Sequence, residues 1–412
     1  MANRFQLSKD EHDEIYRLIE SRYLPKSRPQ DHPTAIITGG QPGSGKSGIT
    51  TQAKSELAER GGYVLIDADK LRTFSPLYRP ALEANDREAA NLTHPDAAGW
   101  SKSLTVAGAQ GRRNLIIDQT SKDPAAVEHL ASQLKGAGYR VELRVMAVNE
   151  KISEQRIHTR YEEQKAIQGH GRFSTAENHQ IAYAGVAKTV SQVEQNRSVD
   201  ALVLMDKNHI RVSENFLENG EWSRPMSATR TMEAERSRPL TLDERKEIAD
   251  QYVTLSEMVN KPERGASPEQ RQALESLRDS SRADLDSMTL KVGQFAAAAT
   301  AAPSSNYIDA VVSRGTVIEV EQRHVALQQN TSPDLMRATA KADLQDFDFL
   351  AGKPEQLAVA SHIRPMLADP DYRDAISENA PTDFLETLDA AQLVNDQLES
   401  SYELDRSQDI EL

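Results

Sequence analysis

Gly40-Gln41-Pro42-Gly43-Ser44-Gly45-Lys46-Ser47-Gly48 is the densest chemical feature of the 412-residue chain. Gly40-x-x-x-x-Gly45-Lys46-Ser47 has the spacing of a P-loop and directly follows the apolar run Ala35–Thr38. Glycines at 40, 43 and 45 let successive backbone N–H groups turn inward on a phosphate, at the positive end of a helix that begins near Lys46. Lys46 then offers a point charge to the β- and γ-phosphates, and the Ser47 hydroxyl is the expected Mg²⁺ ligand. A nucleoside triphosphate, taken as ATP, and Mg are the cofactors this run implies.

Two further apolar runs end in acids. Tyr63–Ile66 leads into Asp67-Ala68-Asp69, and Asn114–Ile117 into Asp118-Gln119-Thr120. Two residues' separation gives Asp67 and Asp69 different orientations on an extended chain, so one faces the site while the other supports it. A carboxylate opposite the γ-phosphate can orient a substrate hydroxyl and accept its proton. Asp118 resembles a shortened Walker B acid that holds the metal; alternatively it contacts the acceptor, and the residues alone leave both roles open. Further on, Lys151–Glu163 reads as a helix with Arg156 and Arg160 on one face, and Gln168–Ser174 as a turn that carries Arg172 before a helix capped by Ser174 and Glu177. Arginines on such a lid can grip phosphate oxygens bidentately. His170 and His179, nine residues apart with no cysteine partner, do not make a zinc site.

These groups need a scaffold that gathers strand ends. Ala35–Thr38, Tyr63–Ile66, Asn114–Ile117, Arg140–Ala147 and Ala201–Met205 alternate with helical stretches, so the expected fold is α/β, a P-loop kinase core on a mostly parallel five-stranded sheet. After residue 240 the pattern turns helical. Ile248, Tyr252, Leu255 and Val259 recur at helical spacing, as do Leu285, Met288, Val292 and Phe295, and Thr241/Glu244 and Ser267/Gln270 have the form of capping boxes. Ala296–Ser305 reads as a small-residue linker, and Thr316–Val320 as a strand or buried helix. Residues 1–230 carry 31 basic and 29 acidic side chains, a balance of +2, whereas residues 231–412 carry 18 and 34, a balance of −16. The expected organisation is a kinase domain over 1–230, an acidic helical domain over 235–400 and a flexible acidic tail over 401–412.

Composition removes several classes of function. A net charge of −14 disfavours nucleic acid as a partner, and zero cysteines exclude disulfides, iron–sulfur clusters and thiolate zinc sites. No apolar run of about 18 residues is present and the N-terminus has no signal-peptide core, so a membrane-free, cytoplasmic protein is expected.

Taken in order, these motifs resemble the zeta toxin kinases, P-loop phosphotransferases that phosphorylate the amino sugar of UDP-N-acetylglucosamine and so poison cell-wall synthesis. The resemblance covers roughly residues 10–225. It rests on Gly39–Ser47, Ile66-Asp67-Ala68-Asp69, Ile117-Asp118-Gln119-Thr120, Val145-Met146-Ala147-Val148, and Arg160-Tyr161-Glu162 followed by Arg172. It implies Asp69 as the base that activates the acceptor hydroxyl, Lys46 and Ser47 at phosphates and Mg²⁺, Arg160 and Arg172 as the γ-phosphate clamp, and Asp67, Asp118 and Thr120 on the acceptor side.

Three positions depart from the family pattern. Lys102 stands where equal spacing back from Asn114 puts a substrate-side Glu, Asp118-Gln119-Thr120 replaces Glu-Gly-Thr, and Lys122 replaces the following Arg. A related nucleotide-sugar is the expected acceptor, with another nucleotide or an antibiotic hydroxyl as the rival. The rival of a different class is a nucleotide-gated binding protein. The resemblance leaves the C-terminal 180 or so residues unexplained. Their open readings are an antitoxin fused in cis that docks on the kinase, a partner-binding or secretion-related module, and a stabilising appendage.

Overall fold

A computed structural model describes residues 4–300, 320, 322–325, 327, 332–347 and 354–409. The chain divides into two compact units, one of residues 1–237 with 254–271 and the other of 238–253 with 272–412.

The first unit opens on helix α1 (Lys9–Tyr23), started by a capping box between Ser8 and Glu11. There follow β1 (Thr34–Gly39), α2 (Lys46–Ala58), β2 (Val64–Asp67), α3 (Ala68–Arg72), α4 (Tyr78–Ala84), α5 (Ala89–Leu92) and α6 (His94–Gln110). The chain continues through β3 (Leu115–Asp118), α7 (Pro124–Gly136), β4 (Arg140–Met146), α8 (Glu150–Gln168), α9 (Ala176–Asn196) and β5 (Ala201–Met205). It then adds β6 (Arg211–Glu218), β7 (Glu221–Trp222) and α10 (Ala228–Ser237). The strands form one sheet in the order β2-β3-β1-β4-β5-β6-β7, parallel from β2 through β5.

The five expected strands are therefore present, and two antiparallel ones extend the sheet. β6 escapes an apolar reading because its one fully buried side chain is polar: Asn215 donates to Arg224 O and accepts from Arg224 N. The signal that would have found the hairpin is Asn219-Gly220, both at positive φ (53° and 84°), as a two-residue turn requires.

Strand periodicity sorts the core into two layers. Ile36, Leu65 and Ile116 pack with Ala53 and Leu57 of α2 on one face. Ile37, Ile66 and Ile117, one residue further along each strand, join Trp100 and Leu104 of α6 on the other. At the opposite end of the ladder, buried Asn114 ties three segments together. Its Oδ1 accepts from Thr34 N at 2.9 Å, and its Nδ2 donates to Arg60 O and Gly62 O at 2.8 and 3.1 Å.

The second unit is helical. It takes in the first part of α11 (Leu242–Asn260) and most of α12 (Pro268–Thr300), followed by helices Pro333–Asp346, Pro354–Met366, Pro370–Asn379 and Phe384–Asp409. Both expected capping boxes form, with reciprocal bonds between Thr241 and Glu244 and between Ser267 and Gln270. Its core gathers Phe347, Ile363, Tyr372, Phe384 and Leu388, pinned by fully buried Asp343, which accepts from Tyr372 Oη at 2.6 Å and pairs with Arg323. Two linker expectations differ. α12 runs through Ala296 to Thr300, because a run of alanines is the best of helix formers, and residues 301–305 lie outside the described residues. The segment expected as a tail is helical to Asp409, with 410–412 outside the description, and of Thr316–Val320 only Val320 is described, helical and buried. Among the described residues no helix is long and apolar enough to cross a membrane.

Asn114→Ala leaves the Thr34 amide and two carbonyls without their partners. At about 1 kcal/mol per hydrogen bond, it should lower the unfolding free energy of the first unit by about 3 kcal/mol. Urea unfolding followed by tryptophan fluorescence reads this unit alone, since both tryptophans, Trp100 and Trp222, belong to it.

Candidate functional site

Parallel register brings the ends of β1, β2 and β3 to one edge. Ile37 and Ile66 both lie level with Ile117, and Asp67 lies level with Asp118. A cavity of about 920 Å³ opens there, floored by the P-loop and walled by α3, α8 and the turn after α8.

Gly40, Gly43 and Gly45 have φ of +144°, +79° and +93°. A Cβ on Gly43 would fall 1.9 Å from Ser153 O, so no other residue fits this close approach. The loop is braced from both sides. Gly40 N donates to Thr120 O at 3.0 Å, and the buried Gln41 side chain donates to Val148 O at 2.9 Å and Ser153 Oγ at 3.2 Å. Ser44 is buried and its hydroxyl has no protein partner among the described residues. A cradle that a Cβ would fill and an orphaned hydroxyl beside it fit an anion held by backbone amides.

Lys46 Nζ folds back to Gly40 O (2.6 Å) and Gln41 O (3.1 Å). Burial pulls its pKa down to about 8; Asp118 opposes the shift, and Arg172 and Arg160 add to it. Ser47 lies in the first turn of α2 and lines the cavity, as do Asp67 and Asp118. This all-oxygen set suits a hard cation that shares its coordination with phosphates. Among the described residues no cluster of three or more His, Asp or Glu could hold a metal.

The structure separates the roles of the Asp pair. Asp67 caps α3, accepting from Asp69 N at 3.0 Å and Lys70 N at 3.3 Å. Asp69 sits in the first turn with one carboxylate oxygen 2.5 Å from Nη1 of buried Arg72 and the other against Arg172. Asp118 accepts from Thr50 Oγ1 at 2.8 Å and more weakly from Thr38. Burial pushes its carboxyl up and the charge of Asp67 adds to this, against the Thr50 bond. Thr120 lines the cavity while its carbonyl braces Gly40.

α8 carries Arg156 and Arg160 into the cavity one turn apart. Burial lowers the Arg160 pKa, and its Nε has no partner among the described residues. α8 ends at Gly169 (φ +76°), and the following turn is fixed by Asp86, which accepts from Lys165 Nζ (2.6 Å), Tyr161 Oη (3.1 Å) and Gly171 N (3.2 Å). Burial works against ionisation of Asp86, yet these bonds outweigh it and hold its carboxyl below the usual range. Gly171 lies so close to Tyr161 that a Cβ would meet its carbonyl at 2.4 Å, and this approach delivers Arg172 to the cavity. α9 is capped by Thr175, whose hydroxyl accepts from Asn178 N, rather than by Ser174.

Lys46, Ser47, Asp67, Asp69, Asp118, Thr120, Arg160 and Arg172 thus converge, whereas Lys102 does not. It is exposed on α6 and does not line the cavity. The buried stripe of that helix runs through Ala97, Trp100 and Leu104, and Lys102 falls off it; His94, at the N-terminus of α6, reaches the cavity instead. Sequence reasoning also missed Arg72, Arg87, Asn91 and Gln164, which line the cavity, and the turn-fixing Asp86. No motif or spacing in the sequence marked them.

Residues 20–217 match the family model of the zeta toxins. The chain is 30% identical over 147 residues to Toxin PezT of Streptococcus pneumoniae, covering 36% of this chain and 57% of that toxin. It is 24% identical over 144 residues to Toxin zeta of Enterococcus hirae, covering 33% of this chain and 50% of that one. The chain therefore spans about half the length of the curated relatives it matches. A solved structure from the characterisation of the PezAT chromosomal toxin-antitoxin system of Streptococcus pneumoniae superposes with a TM-score of 0.53 at 20% identity, over 62% of this chain and 99% of that one, a likeness of fold. Residues 20–217 of the chain are thus similar to the zeta toxins, and the helical remainder lies outside the family match.

Proposed function

We propose that the first unit is an ATP- and Mg-dependent toxin kinase that transfers the γ-phosphoryl group to a hydroxyl of a nucleotide-sugar such as UDP-N-acetylglucosamine. One observation carries this reading. A carboxylate held by arginines, Asp69, faces the same cavity as a P-loop, its lysine and two lid arginines. A protein that only bound nucleotide would need the loop but not the aspartate opposite it.

In this reading the P-loop amides and Lys46 hold the donor phosphates, and Arg160 and Arg172 neutralise charge on the phosphoryl group in transit. Asp69 accepts the acceptor's hydroxyl proton on a carboxylate oxygen, while Arg72 keeps the other oxygen and fixes the rotamer. Ser47 with Asp118 would hold Mg²⁺, which supplies charge neutralisation between the phosphates when bound. The cavity of about 920 Å³ is at the upper end of the ~300–1,000 Å³ usual for one ligand and has space for donor and acceptor together. Thr120, Lys122, Asn91 and His94 line its acceptor side. Exposed Lys102 brings no reversed charge to it, which removes one departure that weighed against a nucleotide-sugar.

The cytoplasm, where ATP and nucleotide-sugars are found, is the compartment this reading assigns. The acidic region after Arg271, with 11 basic and 25 acidic side chains for a balance of −14, is proposed as an internal inhibitor of the basic cavity, taking the place of a separate antitoxin. Residues 254–271 belong to the first unit, so the comparison that tests inhibition is the full chain against one ending at Arg271. Faster transfer and greater toxicity of the folded short form support inhibition, and equal rates reject it.

The central assay is transfer from γ-labelled ATP with Mg²⁺ across UDP-sugars and nucleotides. Asp69→Asn should lower turnover by about 10²–10⁴-fold with ATP still bound, the range expected for a lost general base; unchanged turnover rejects the assignment. The Lys46 ammonium, near 8 when free, is charged below that pH, and a bound phosphate holds the charge in place. ATP binding should therefore take up protons as pH rises through about 8, with affinity falling toward a limit of about tenfold per pH unit above it. Calorimetry in buffers of different ionisation enthalpy measures this uptake, and Lys46→Met should abolish it.

A further inference from the structure

The family match ends at residue 217, yet two arginines beyond it, Arg236 buried and Arg264 half-buried, reach the phosphate-handling elements of the same unit. Arg236, on α10 and 6% exposed, donates from Nη2 to Gln41 Oε1 at 2.9 Å and from Nη1 to Tyr183 O at 2.6 Å. Its guanidinium stacks 4.1 Å from the Tyr183 ring centre, and its carbonyl accepts from Asn149, the cap of α8. Gln41 is wholly buried in the P-loop. Its side-chain NH2 is committed to Val148 O and Ser153 Oγ, and Arg236 donates to its side-chain carbonyl. The same residue's backbone carbonyl receives Lys46 Nζ. Arg236 therefore bears on the loop and, through one residue, on the lysine.

Arg264 does the corresponding thing to the lid helix. It is half-buried and grips the buried Glu162, 3% exposed, with two parallel bonds: Nε to Oε2 at 2.6 Å and Nη2 to Oε1 at 3.0 Å. Glu162 lies two residues after Arg160 on α8, next to Tyr161, which binds Asp86 and abuts Gly171. A planar bidentate pair on a buried carboxylate resists rotation of the helix in a way a single contact cannot.

We propose that Arg236 and Arg264 are positioning residues for phosphoryl transfer, Arg236 setting the P-loop through Gln41 and Arg264 setting Arg160 through Glu162. The functional unit then extends to about residue 271, and the segment after the family match is part of the machinery. The inference rests on the kinase reading for the Arg264 arm; the Arg236 arm needs ATP binding alone.

The test uses the full chain with Arg236→Met, Arg236→Lys, Arg264→Met and Arg264→Lys, and Gln41→Met alone and combined with Arg236→Met. ATP affinity is measured by direct titration without acceptor, turnover by label transfer, and folding by thermal melting. Arg236→Met should weaken ATP binding at least tenfold, and adding Gln41→Met should cost little more, since both break one connection. Arg264→Met should lower kcat about tenfold with ATP affinity within twofold of the parent. Should a Met variant lose its cooperative melt, the Lys variant, which keeps the charge and loses the fork, is read in its place with a smaller loss in the same parameter. ATP affinity and kcat within twofold of the parent in folded variants overturn the proposal. So do losses that vanish when the assay is cooled well below each variant's melting temperature, since these show stability alone. A parent chain that binds ATP but transfers to no acceptor strikes the kinase reading and leaves the Arg236 result standing on affinity.

Discussion

Because β2, β3 and β1 pair in parallel with Ile66, Ile117 and Ile37 in one row, the next residues of all three strands leave the ladder on the same edge. The ladder supplies what no local sequence can, a common origin for groups some 80 residues apart in the chain. Asp67 and Asp118 come level, Thr120 bonds the backbone of Gly40, and Thr50 on α2 reaches across to Asp118. Helices on both faces keep the sheet buried and dry, so the charges collected at its edge act on one another with little screening. The Lys46 ammonium is lowered and the Asp118 carboxyl raised for that reason.

The second constraint is that a site for a highly charged substrate has to collect like charges. Lys46, Arg72, Arg160 and Arg172 share one cavity with Asp67, Asp69 and Asp118. In this structure the carboxylates carry part of the load, Asp69 taking both Arg72 and Arg172. Under the proposed function, a phosphate on the P-loop would compete with Asp69 for Arg172, and Arg172 sits on a glycine-bounded turn and not within α8.

Outside that cavity, rigidity comes from buried polar pairs whose partners lie far apart in sequence. Asp86 fixes the turn of Arg172 from 85 residues away, Arg236 reaches Gln41 across 195, and Arg264 reaches Glu162 across 102. Each takes a charge at least partly out of water against hydrogen-bonding partners, and removing one side leaves the other without its bonds. The second unit repeats the device with Asp343 beneath Tyr372 and Arg323.

The legible part of this protein was whatever depends on short-range rules. P-loop glycines announce themselves because positive φ and close backbone approach exclude every other residue; five strands and the helical C-terminal half follow from periodicity; and acids placed directly after apolar runs mark strand ends. The hairpin of β6 and β7 stayed hidden because its buried residue is Asn215, although Asn219-Gly220 carried the turn. Tertiary structure alone decided the rest. Lys102 had the right spacing but sits off the buried stripe of α6, a matter of helix rotation against the sheet that counting cannot supply. The division between Asp67 as helix cap and Asp69 as cavity carboxylate depends on where α3 begins. The arginines at 72, 236 and 264 look like any surface arginine until folding pairs them, because what makes a charged side chain structural is a partner that only the folded chain brings within reach.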